Sequence, residues 1–150
     1  MRHRWQGTFG RYLALMLAGH LAWELGQLPL YTIWTEGTPG QIAFAVAHCT
    51  GGDLLIASAS LALGWLLAGM PAWPHRRYGL TAFFTIAAAL AYTVFSEWLN
   101  VSVRGAWAYA AIMPTVPPFG TGLAPLLQWL VVPMIVFRYV RPNQGSSPRF

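Results

Sequence analysis

The chain has 150 residues, of which 56% are hydrophobic and only 9% are charged. Soluble domains carry about 25% charged residues, so this composition excludes an ordinary soluble globular fold. The formal net charge of +5 comes from nine basic residues, all of them Arg, scattered between apolar runs, which excludes nucleic acid as the main partner. A single cysteine, Cys49, excludes an intramolecular disulfide framework and a Cys-only metal site.

In chain order, the apolar runs Tyr12 to Ile33, Ile42 to Ala68, Gly79 to Leu99 and Leu123 to Val140 are candidate membrane crossings. At about 1.5 Å per residue, each is long enough for roughly 30 Å of hydrocarbon. The expected fold is all-α and polytopic, a single domain over residues 1–150 with the four transmembrane helices in one bundle. Pro29 interrupts the first run late. The second run is longer than a crossing needs, and Gly51-Gly52 is the natural place for an irregular turn. Gly- and Pro-rich breaks fall at 35–40 and 69–77. The third break, residues 100–122, is longer and reads as an outward connection at the membrane interface. Pro125 and Pro133 bend the fourth helix. The tail 142–150 reads as mobile.

The arginines set the orientation. Arg2, Arg4 and Arg11 precede the first run, Arg76 and Arg77 separate the second from the third, and Arg138, Arg141 and Arg149 close the chain. Only Arg104 falls on the other side, so the positive-inside rule places both termini in the cytoplasm. A secretory signal would have an apolar core of about 7–15 residues and a small-residue cleavage site. Here the apolar stretch continues past Ala22 to Ile33 without an Ala-x-Ala, which reads as an uncleaved helix. Trp5, Tyr31, Trp34, Trp73, Tyr78, Trp98 and Tyr139 fall near the predicted boundaries, as an aromatic belt would. An Arg- and Ala-rich chain without Lys points to a GC-rich bacterial source, and so to the bacterial inner membrane.

Of the four acidic residues, Glu24, Asp53 and Glu97 lie inside predicted crossings, as do His20 and His48. Each ionisable group at a helix centre costs about 2.5–3.5 kcal/mol on insertion scales. Such residues by default mark function, the alternative being polar contacts that fix helix register. Counting about 1.5 Å per residue, Glu24 and His48 lie about 9–14 Å below the outer boundary, His20 and Asp53 about 16–20 Å, and Gln128 about 8 Å. The expectation is one polar site in the outer half of the bundle. Spacings of 4, 3 and 4 put His20, Glu24, Gln27 and Tyr31 on one stripe. Thr93, Glu97 and Asn100 share a stripe on the third helix. His48 and Asp53 stand about 140° apart on a regular helix. They meet only if Gly51-Gly52 bulges; otherwise Asp53 faces elsewhere, together with Thr50. Gly19, Ala22 and Gly26 would let a neighbouring helix approach closely.

Residues 101–114 are apolar enough for a short interfacial helix, with Trp107 and Tyr109 at headgroup level. Arg104 could pair with Glu97, Glu36 or a lipid phosphate.

The motifs His20-Leu21-Ala22-Trp23-Glu24, Asp53, Glu97 near the end of the third helix, and Gln128-Trp129-Leu130-Val131-Val132-Pro133 make the sequence similar to the four-helix EXPERA group. That group includes the emopamil-binding sterol isomerases and the sigma-2 receptor. Here Gln128 stands where Asn is sought, His48 is additional, and the third connection differs. The resemblance implies a pocket for a hydrophobic, isoprenoid- or sterol-like small molecule or a cationic amphiphile. His20, Glu24 and Glu97 would be its acid–base residues, in an isomerase-like reaction. Asp53, Gln128 and Trp129 would line it, and the depths and stripes above add His48, Asn100 and Gln27 as further ligand-binding candidates.

Two other readings stay open. His20, Glu24 and His48 could ligate a transition metal or haem. Equally, the chain could be an accessory or transporter subunit, and transport would require a homodimer. The sequence names no cofactor; membrane lipids are the expected surroundings.

Overall fold

A computed structural model describes residues 2–70 and 73–141, with side chains from Gly7 onward. The Trp5 side chain, the Pro71-Ala72 pair and the tail read above as mobile lie outside the described residues. The chain forms α1 (Arg2–Gln27), a 3-10 turn (Leu28–Leu30), the short α2 (Ile33–Glu36), α3 (Pro39–Leu67), α4 (Tyr78–Glu97), a π-helical turn (Trp98–Val103), β1 (Thr115–Val116), β2 (Thr121–Gly122) and α5 (Leu123–Val140). Among the described residues, three helical stretches, Pro39–Leu67, Tyr78–Val103 and Leu123–Val140, are long and apolar enough to cross a membrane. α1 is long as well, at 26 residues, but its arginines, His20 and Glu24 dilute its apolar character. The architecture fits an all-α membrane protein.

Local sequence explains the helix limits. α1 stops at Gln27, short of the expected Ile33, because Pro29 has no N–H to continue the ladder. α3 begins at Pro39 rather than Ile42, through a capping box. The Thr38 hydroxyl accepts from the Gln41 backbone N–H at 3.3 Å, while the Thr38 N–H donates to Gln41 Oε1 at 2.8 Å. α3 runs unbroken through Gly51-Gly52. The π-helical turn lies instead at Trp98–Val103, where the Arg104 N–H donates to the Leu99 carbonyl. Beyond it, Gly105 at φ +58° ends the helix, so the interfacial helix expected over 101–114 does not continue.

The long helices close a square: α1 packs on α3 and α5, and α4 packs on the same two. Gly19 allows α1 to meet α5, since a Cβ there would lie 2.7 Å from Val132 Cγ1. Gly64 plays the same part for α3 against Thr81 and Thr85 of α4. Gly26 meets nothing and Ala22 is exposed, so these two do not serve that purpose.

Inside and outside are inverted relative to a soluble protein. Leu55, Phe44 and Phe83 are 74%, 70% and 63% exposed, whereas His20, Gln27, Thr50, Asp53, Thr93, Glu97 and Gln128 are buried. Lipid would solvate the former, and the bundle interior spares the latter from hydrocarbon. At the arginine-bearing end the interior is mostly apolar, built on Tyr12, Met16, Leu61, Val136, Phe137 and Val140, with the small polar side chains of Ser60, Thr81 and Thr85 buried near them. Tyr78 there donates to the Phe137 carbonyl, Arg77 to Ala68 and Arg11 to Tyr139. The opposite half holds the buried histidine, acids and glutamines: His20, Gln27, Asp53, Glu97 and Gln128.

Candidate functional site

The site grows from three helix stripes. On α1, His20, Glu24 and Gln27 follow helical spacing below the 3-10 turn. On α3, the buried positions Val46, Thr50, Asp53, Ala57 and Ser60 recur every three or four residues, so Asp53 shares its face with Thr50. On α5, Gln128 and Trp129 turn inward ahead of Pro133.

Gln128 lies at the centre, 2% exposed. Its amide nitrogen is 3.1 Å from Glu24 Oε1, 3.0 Å from Asp53 Oδ2 and 2.9 Å from His20 Nδ1. Its carbonyl accepts from the Gln27 amide at 3.4 Å, and the same Gln27 amide donates to Glu24 Oε1 at 2.9 Å. His20 Nδ1 lies 3.2 Å from Asp53 Oδ2. The Trp129 ring covers the imidazole, centroid to centroid 4.4 Å. One amide therefore ties a histidine and two carboxylates from three helices into one network.

Among the described residues, three buried side-chain atoms of α1 and α3 in this cluster have no hydrogen-bond partner: His20 Nε2, Gln27 Oε1 and Thr50 Oγ1. A buried polar group left unpaired costs about 1–3 kcal/mol, so each is a place where a bound molecule or water would be welcome.

Glu97 enters from α4 as a buried carboxylate and accepts a hydrogen bond from the Tyr109 hydroxyl, not from Arg104, which is exposed. The Gly122 N–H donates back to that hydroxyl at 2.9 Å. Burial, then the Glu97 carboxylate, holds the Tyr109 phenol above its ordinary range, which keeps it a donor. The 104–122 connection lies against the end of α1. Thr32 donates to the Ala108 carbonyl at 3.0 Å and Ala110 to the Leu30 carbonyl at 2.9 Å. The Tyr31 and Tyr109 rings meet at 5.6 Å.

His20, Glu24, Gln27, Asp53, Gln128 and Trp129 are thus brought together, with Glu97 on the neighbouring helix α4. His48 is not. It is exposed on the outer face of α3 and stacks on Phe44 at 5.5 Å. Asn100, carried off the Glu97 stripe by the π-helical turn, donates to the Ser96 carbonyl and hydroxyl of its own helix. The His20, Glu24 and His48 set is therefore not assembled. Among the described residues no three His, Cys, Asp or Glu side chains are placed to hold a metal ion. Helical spacing assigns Tyr109 only an interfacial role; its bond to Glu97 has no local signal, because the stripe donors Thr93 and Asn100 turn to Ala89 and Ser96 of their own helix only in the fold.

Comparison with protein-family models, with curated proteins and with solved structures finds no match.

Proposed function

We propose that the chain is a four-helix, multi-pass protein of the bacterial inner membrane, with both termini cytoplasmic. In this reading the polar network of the outer half binds the polar end of a lipid-like or cationic amphiphilic molecule. The observation that carries it is the buried cluster of His20, Asp53 and Gln128, with the half-buried Glu24 at its edge, in a bundle whose surface is apolar. Intramembrane ionisable groups are expensive and by default functional. A ligand that reaches them must bury its remainder among apolar helices, which favours a hydrophobic molecule with one polar or charged end.

The chemistry suited to this site is proton transfer. His20 and Glu24 stand one helical turn apart on α1 and meet through Gln128, the arrangement an acid and a base would need to move a double bond. This is the reaction type implied by the EXPERA-like motifs. A metal or haem centre is the weaker reading, because its expected ligands stand on different faces.

Native mass spectrometry of the protein released gently from its membrane tests the proposal. A retained organic small molecule is expected in the parent and lost in Glu24→Gln and His20→Ala, while both variants still insert. Equal retention in both variants would overturn the site assignment; a retained metal ion or haem would overturn the ligand class.

A further inference from the structure

The hydrogen-bond count around Gln128 assigns a proton. Its amide nitrogen carries two hydrogens and faces three groups that could accept them: Glu24 Oε1, Asp53 Oδ2 and His20 Nδ1. Turning the amide round would set its oxygen against two carboxylate oxygens, so the nitrogen must face them. One neighbour is then left without a hydrogen from Gln128. Glu24 Oε1 also receives the Gln27 amide at 2.9 Å, so the deciding contact is His20 Nδ1 against Asp53 Oδ2, where a ring lone pair facing a carboxylate oxygen would be repelled. His20 therefore carries its proton on Nδ1 and donates it to Asp53 Oδ2, 3.2 Å away. The Gln128 and His20 nitrogens are 2.9 Å apart because both N–H groups aim at that same oxygen.

The other ring nitrogen follows from this. In the Nδ1–H tautomer, Nε2 holds a lone pair; it is fully buried and has no partner among the described residues. We propose that Asp53 is a positioning residue which holds His20 as its Nδ1–H tautomer, so that Nε2 is the atom that accepts a proton or hydrogen bond from the molecule in the site. A partner on one ring nitrogen sets what the other can do. The ligand class that follows is one presenting an O–H or N–H donor, or an acidified C–H, at the depth of His20. This rests on the proposed ligand-binding reading and names the receiving atom within it.

The test is solid-state nitrogen NMR of the full chain in lipid bilayers at neutral pH, with isotopically labelled histidine. His20→Gln identifies the His20 signals by their loss. The expected result is a proton-bearing Nδ1 and an unprotonated Nε2. Asp53→Asn should shift His20 toward the Nε2–H tautomer, because an amide can donate to Nδ1, and Asp53→Glu should restore the parent pattern. A proton on Nε2 in the parent, whether as the other tautomer or as imidazolium, would overturn the inference. So would an Asp53→Asn spectrum identical to the parent. The tautomer is read without ligand, so it can fail while a retained molecule upholds the binding reading, or hold while an empty, bare protein removes that reading.

Discussion

Asp53 on α3 and His20 on α1 meet across 3.2 Å in the bundle interior, and Gln128 of α5 donates to the same Asp53 oxygen at 3.0 Å. Removing the Asp53 acceptor leaves two buried N–H donors, of His20 and Gln128, without their shared partner, at a cost of about 1–3 kcal/mol each. Asp53→Ala should lose stability on that scale, and Asp53→Asn less, about 1–3 kcal/mol. Denaturant or thermal unfolding in detergent micelles measures both. An Asp53→Ala protein as stable as the parent would mean that the carboxylate does not hold the helices together.

The α1–α5 contact depends on a missing methyl group. A Cβ on Gly19 would lie 2.7 Å from Val132 Cγ1. Gly19→Ala should therefore destabilise by about 1–3 kcal/mol through overpacking. Val132→Ala in the same chain should recover most of that loss, a coupling that a double-mutant cycle reads directly. Gly51→Ala is the control: it meets nothing within 4 Å, and α3 should tolerate or welcome it.

Tyr109 ties the connection to the bundle through the Glu97 carboxylate and the Gly122 N–H. Tyr109→Phe removes both hydrogen bonds and leaves Glu97 buried without its hydroxyl donor. Amide exchange at Gly122 should quicken by about tenfold or more, the equivalent of about 1.4 kcal/mol per hydrogen bond lost. Unchanged exchange at Gly122 would show that the backbone bonds at Thr32 and Ala110 hold this segment alone.

Membrane topology is readable with single cysteines in a Cys49→Ser background. Ile112→Cys should react with an impermeant maleimide in intact cells, since Ile112 is 66% exposed on the proposed outer side. Arg76→Cys and Gly7→Cys should react only after permeabilisation. Labelling of Gly7→Cys from outside would mean that α1 does not cross, leaving the three apolar stretches as the spans.

Much of this molecule is written in the sequence. Composition alone separates it from soluble proteins, because a chain 9% charged cannot cover itself with polar surface. Helical spacing placed His20, Glu24 and Gln27 on one stripe, since the 3.6-residue turn is a local property. The start of α5 at Leu123 was equally local, following the Pro- and Gly-rich stretch before it.

Which stripes face one another was not local. His48 and Asp53 are both ionisable residues of α3, and nothing in their spacing says which one turns inward; the packing of α3 against α1 and α4 chose Asp53 and Thr50. The irregular turn could not be placed from glycines alone, because Gly51-Gly52 tolerates a regular helix when no neighbour strains it. It fell at Trp98–Val103 and moved Asn100 off the stripe of Glu97. Nor could the sequence join Tyr109 to Glu97, or His20 and Gln128 to Asp53, because each of these bonds links elements that only folding brings together. The sequence by itself determined the helices, their apolar surroundings and the polar residues they carry. Only the tertiary structure decided which polar atoms are satisfied and which, like His20 Nε2, are left without a partner among the described residues, because hydrogen-bond pairing is a property of the assembled interior.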